Sequence, residues 1–229
     1  MPDRPIGIVI PTLNEAAALP GLLEDLAKLP VPTDIVVADG GSADDTVSVA
    51  ESAGARVVSA PQGRGPQLNA GAAAANGEWL CFLHADVRMP ENARAELVRV
   101  LASETEAAVW ELAIAADGVW PRVMEFGAKI RDRLGGLPYG DQGLLVRRTL
   151  FEETGGFREI PIMEDVAMVR ALSGRTRLER MQAPLLVSPR RWERQGPYRT
   201  WMRNSLLITA YHTGVPPSRL ARWYRPNVS

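Results

Sequence analysis

Apolar runs of strand length alternate with amphipathic stretches through the first half of the chain. Ile6 to Ile10 is uniformly apolar and closes on Pro11, the pattern of a buried strand. Pro11-Thr12-Leu13-Asn14-Glu15 follows, with Asn14 placed to cap a helix from near Glu15 to about Lys28. Leu19, Leu22, Leu23 and Leu26 form its apolar stripe. Asp34 to Ala38 predicts a second strand ending in Asp39, and Gly40-Gly41-Ser42 a turn. Ser42 or Asp44 caps a helix running toward Ala53, and Arg56 to Ser59 is a third strand. The glycine-rich loop Pro61 to Pro66 leads into a helix of small residues, Gln67 to Ala75, suited to close packing on a sheet. The run from Trp79 is again apolar and breaks into His84-Ala85-Asp86; after Pro90, Glu91 to Leu101 reads as a helix. This alternation implies βαβ units and a parallel sheet with right-handed crossovers.

The second half is less regular. Strands are predicted at Val109 to Ala115, Leu144 to Val146 and Leu185 to Ser188. Helices are predicted at Pro121 to Leu134, Glu164 to about Leu172 and Pro197 to about Tyr211, with a helical turn at Phe151 to Phe157. Gly135 to Gly143 is a glycine-rich loop carrying Asp141 and Gln142. No internal repeat or clear linker divides the chain. It reads as a single domain over residues 1–229, with a regular first half, residues 1–102, and a less regular second half, residues 103–229.

Composition adds bounds rather than a class. At 229 residues, 46% hydrophobic and 23% charged, the chain is an ordinary globular protein with room for a sizeable core. A net charge of -1 gives no global pull toward nucleic acid, and none is expected as a partner. From Arg190 to Ser229, however, there are eight arginines against one acid, Glu193. Such a tail suits an anionic partner or a solvated basic face. Cys81 stands alone inside an apolar run, so it reads as core, and neither a disulfide nor a cysteine metal site is expected. Asp3 and Arg4 precede only a short apolar stretch, and no segment reaches the roughly 18 apolar residues of a membrane span. The expectation is a cytoplasmic chain, with peripheral membrane contact or a homodimer through the C-terminal aromatic and arginine residues.

Three strand ends carry the candidate chemistry: Thr12 with Glu15, Asp39, and His84 with Asp86. In a parallel sheet these ends share one edge, where ligands of open α/β sheets bind. Carboxylates gathered there suit a site that grips hydroxyls and a divalent cation. Each also has a plain reading as a solvated strand end or a helix cap. Gly63-Arg64-Gly65 is not a P-loop, because no Gly-Lys-Ser/Thr follows, but its backbone and Arg64 suit a phosphate. Glu164 and Asp165 open a helix, where acids also serve simply to complement the dipole.

Taken in order, these pieces resemble the family 2 glycosyltransferases, with their GT-A fold, over nearly the whole chain. Pro11-Thr12-Leu13-Asn14-Glu15 resembles the opening nucleotide loop. Asp39-Gly40-Gly41-Ser42-Ala43-Asp44-Asp45-Thr46 is similar to the Asp-Asp-Gly-Ser-x-Asp-x-Thr stretch that holds the base, with Gly40 in place of the second Asp. Gly63 to Gly71, with Arg64, Gln67 and Asn69, resembles the loop and helix that contact uracil and phosphates. His84-Ala85-Asp86 occupies the place of the Asp-x-Asp metal motif, with His84 for the first Asp. Glu164-Asp165 matches the Glu-Asp pair that supplies the base. Arg191-Trp192 echoes a C-terminal motif of processive members, without the Gln three residues earlier, so a non-processive enzyme fits better.

The resemblance implies an α/β GT-A fold, a mostly parallel Rossmann-like sheet flanked by helices with a less regular acceptor half. It implies an inverting transfer from a UDP-sugar to a hydroxyl acceptor, with lipid-linked alcohols among the candidates. Asp86 is the expected ligand of Mn2+ or Mg2+, and Asp165 the expected base, with Glu164 beside it. Thr12, Glu15, Asp39 and Arg64 are expected around uridine, with Pro11, Asn14, Gly40, Gln67, Asn69, His84 and Ala85 completing the nucleotide site. Asp141, Gln142, Arg191 and Trp192 are candidates for the acceptor or diphosphate. Two other classes stay open: a nucleotidyltransferase on a similar sheet, and a non-catalytic sugar-nucleotide binder or membrane-associated accessory protein in which His84 marks a lost metal site.

Overall fold

A computed structural model describes residues 5–135 and 142–224. Eight strands among them form one sheet: β1 (Ile6–Thr12), β2 (Thr33–Asp39), β3 (Arg56–Ser59), β4 (Trp79–Phe82), β5 (Val87–Arg88), β6 (Ala107–Ile114), β7 (Leu144–Arg147) and β8 (Glu179–Val187). Their order is β3-β2-β1-β4-β7-β6-β8-β5. The first four are parallel, as the alternation predicts, in pairs β1–β2, β2–β3 and β1–β4. Beyond β4 the sheet is mixed. β7 runs antiparallel to both β4 and β6, β8 is parallel to β6, and β5 antiparallel to β8.

Helices cover both faces, so central strands are apolar on both sides. In β1, Ile6, Ile8 and Ile10 point into a core shared with α1 (Leu19–Leu26), α2 (Thr46–Ser52) and α4 (Glu91–Leu101). Val9 points into a second core with α3 (Arg64–Ala74), α6 (Arg148–Glu153) and α7 (Glu164–Ser173). The small-residue helix packs as closely as its composition suggests. A Cβ on Gly71 of α3 would lie 2.3 Å from the Val9 side chain, so only glycine fits at this crossing. Cys81 is fully buried in β4 as core, and burial pushes its thiol pKa far up.

Some boundaries differ from expectation. Asn14 does not cap α1. Residues 15–18 first form a turn in which the Ala18 and Leu19 amides both donate to the Glu15 carbonyl, and the helix starts at Leu19. Asn14 instead takes a left-handed conformation (φ 57°), and its side chain accepts from the Ala43 amide. β4 ends at Phe82, and the chain leaves the sheet at His84 to re-enter as β5 on the far edge. β8 is longer than expected: Met181, Ala183, Leu185 and Val187 are its buried face. Pro184 sits where the β6–β8 register shifts, an irregularity that accommodates a residue without an amide donor. The remaining helices are α5 (Val119–Gly135), α8 (Arg190–Gln195), α9 (Pro197–His212) and α10 (Pro217–Trp223). Leu207 of α9 and Leu220 of α10 pack with Met163 and Val166, at the start of α7.

Candidate active site

The carboxyl ends of β1 and β2 are stitched together by polar side chains. Asp39 is only 6% exposed. Its Oδ1 accepts from the hydroxyls of Thr12 and Ser42, and its Oδ2 from the amides of Gly41 and Ser42 at 2.9 and 2.8 Å. Burial raises the pKa of this carboxyl, but the Ser42 hydroxyl, the two amides and the Thr12 hydroxyl outweigh it and hold it below the ordinary value. Gln67 does similar work from α3: its amide nitrogen donates to the carbonyls of Thr12 (2.7 Å) and Ala38 (2.9 Å). Gly40 lies tight against it: a Cβ there would stand 3.0 Å from the Gln67 amide nitrogen and push that side chain aside. Asn69 faces the other way, exchanging two 2.8 Å hydrogen bonds with the Phe157 backbone.

A second group of loops meets this edge. The Asp86 carbonyl accepts from the Ser188 amide at 3.1 Å, so the His84–Asp86 turn is tied to the end of β8. Met163 precedes α7 with φ 70°, a conformation that costs a non-glycine residue energy and that clusters at functional sites. Glu164 then points inward at 4% exposure, and its carboxylate lies 3.9 Å from the Arg64 guanidinium. Asp165 accepts from the Val166 amide through one oxygen. Glu15 pairs with Arg190 of α8 at 3.6 Å.

These segments enclose a cavity of about 490 Å³. Of the sequence-predicted residues, Pro11, Thr12, Glu15, Arg64, Gln67, His84, Ala85, Asp86, Glu164 and Asp165 line it. Asn14, Asp39, Gly40, Asn69 and Gln142 are not in its lining. The first four belong to the framework that shapes its walls, and Gln142 is buried. Asp141 lies outside the described residues, as do the side chains of Arg191 and Trp192. Sequence reasoning did not bring in Asn204, Leu207 and Ile208 of α9, or Tyr224, which also line the cavity. The only signal for Leu207 and Ile208 was the helical spacing of apolar residues in α9, which does not say what its inner face touches.

Among the described residues no three His, Cys, Asp or Glu side chains gather into an ion cage. Two such donors, His84 and Asp86, line the cavity on one turn. That set suits a cation that shares its coordination with substrate phosphates, as Mg2+ does with one or two carboxylates. Imidazole tilts the preference toward Mn2+.

A family model described as Glycosyl transferase family 2 matches residues 7–154. A PGL/p-HBAD biosynthesis glycosyltransferase of Mycobacterium bovis is 39% identical over 87 residues, 34% of this chain and 34% of that protein. A glucosyl-3-phosphoglycerate synthase of Mycobacterium tuberculosis is 34% identical over 98 residues, 38% of this chain and 30% of that protein. The match thus spans about a third of these curated relatives. Among solved structures, the M. tuberculosis glucosyl-3-phosphoglycerate synthase in complex with Mn2+, UDP and phosphoglyceric acid superposes with a TM-score of 0.66 at 20% identity, over 93% of this chain and 80% of that one. S. aureus TarS, residues 1–349, superposes with a TM-score of 0.65 at 15% identity, over 96% and 69%. The fold is GT-A.

Proposed function

This chain belongs to glycosyl transferase family 2, and on that premise we propose that it moves a sugar from a UDP-sugar to a hydroxyl acceptor, inverting the anomeric carbon. The observation that carries this reading is the meeting of Asp86 and Asp165, 79 positions apart in sequence, in one cavity with the nucleotide-loop residues Thr12, Glu15 and Arg64. The structural neighbours add support: the synthase was solved with Mn2+ and UDP, and TarS with UDP-GlcNAc.

In this proposal Thr12, Glu15 and Arg64 hold uridine, while Asp39 keeps their loop rigid from behind. A divalent cation held by Asp86, with His84 beside it, supplies charge neutralisation at the diphosphate. Asp165 takes the proton from the acceptor hydroxyl as that oxygen attacks the anomeric carbon, and the bond from that carbon to the diphosphate oxygen breaks, releasing UDP. One displacement with one base gives inversion. Glu164, buried against Arg64, fixes the guanidinium within the donor site. The acceptor approaches from the α9 side, past Asn204 and Ile208.

Asp165→Asn is expected to lower transfer at least about a thousandfold while calorimetry still reads UDP binding near the wild-type Kd. Full activity in that variant overturns the base assignment. A non-catalytic binder is the second reading, favoured by the lack of an ion cage among the described residues. It predicts UDP binding that ignores manganese and no hydrolysis of any donor. The cytoplasmic placement expected from the sequence remains part of the proposal; no helix among the described residues is long and apolar enough to cross a membrane.

A further inference from the structure

α9 has two apolar faces, and only one is used. Asn204, Leu207 and Ile208 turn inward to the cavity and the start of α7. Tyr198, Met202 and Leu206, four residues apart, lie on the outer face at 58%, 65% and 64% exposure. The neighbouring α5 repeats the pattern with Val119, Val123 and Phe126, at 76%, 47% and 65%. The helices approach each other where a Cβ on Gly127 would stand 3.4 Å from the Trp201 indole nitrogen. Trp201 and, on α10, Trp223 are 44% and 53% exposed. Exposed apolar side chains at this density mark a contact surface rather than scattered surface residues.

Charge selects what it contacts. Arg199, Arg219 and Arg222 are exposed on α9 and α10, which contain no Asp or Glu. On α5, Arg122 is exposed, whereas the carboxylate of Glu125 turns back to accept from the Ile114 amide. A second copy of this chain would set arginines against arginines across a symmetric interface. A bilayer with anionic headgroups accepts both components: the aliphatic and aromatic side chains enter the headgroup–acyl boundary and the guanidiniums meet phosphates. Trp and Tyr favour that boundary. We propose that the outer face of α5, α9 and α10 docks on an anionic membrane surface. It sets the inner face of α9, and with it the acceptor side of the cavity, next to the lipid. Only this last step rests on the glycosyltransferase reading.

The test is co-sedimentation of the full chain with vesicles of phosphatidylcholine alone or with about 30% phosphatidylserine. The expected result is binding to the anionic vesicles that weakens with salt, with a blue shift of tryptophan emission. Met202→Ser/Leu206→Ser, which changes two exposed residues outside the cavity lining, is expected to lose about tenfold or more in partitioning. UDP binding and donor hydrolysis without vesicles should stay unchanged. No binding to the anionic vesicles at low salt overturns the proposal. So does equal binding of the double variant, or sedimentation equilibrium showing that these residues hold a dimer indifferent to lipid. The assay reads partitioning, so its failure leaves the donor chemistry untouched, and an inactive enzyme that still partitions overturns only the latter.

Discussion

Asp39 makes the case at the scale of one residue. Its four hydrogen bonds join the end of β1 to the turn after β2, so the carboxylate fixes the shape of the loop that carries Thr12. Asp39→Asn can keep its oxygen on the Gly41 and Ser42 amides, but its NH2 then meets the Thr12 and Ser42 hydroxyls, which must reverse from donors to acceptors, and the charge-assisted bonds are lost; the change is expected to cost about 1–3 kcal/mol in urea unfolding. The pH dependence follows from its depressed pKa. The stability this carboxylate contributes is fully present above the pKa of an unfolded aspartate and is lost as pH falls through the lower folded value. Wild type should therefore lose stability below about pH 4 more steeply than Asp39→Asn, measured by denaturant melts at successive pH values. The motif resemblance named Asp39, Gln67 and Asn69 together as nucleotide-site residues; Gln67 lines the cavity, while Asp39 and Asn69 are bonded to the surrounding loops. It did not say which of them face the ligand and which face the backbone, because that depends on where a side chain points after the loops close.

Among the elements, the parallel half was legible because β1, β2 and β4 each hold a run of apolar residues and α1 has one apolar stripe. The second half hid more. Pro184 interrupts the pattern of β8, although Met181, Ala183, Leu185 and Val187 alternate correctly around it. β5 is two residues long and has no sequence signal apart from its partner. α3 offers a direct check on packing. Gly71→Val would force the helix off Val9 and Ala38 and is expected to destabilise by about 3 kcal/mol or more, read as a lower midpoint in thermal melts. UDP affinity should fall with it, since Gln67 on the same helix anchors the loop ends.

For the molecule as a whole, the site is built by distant segments, so ligand binding and global stability are coupled. Free UDP at about a hundred times its Kd should add about 2.7 kcal/mol to the unfolding free energy. Manganese should add a further increment, and Asp86→Asn should remove that increment alone, measured by Tm with and without the metal. The sheet order also has a consequence for synthesis on the ribosome. β4 meets β7 only once residue 147 has been made, and β5 meets β8 only near residue 187. A nascent chain holding just the first half carries Trp79 to Phe82 as a bare apolar edge, open to pairing with other chains. The parallel strands β1 to β4 are complete well before α9, whose residues line the same cavity, has been made.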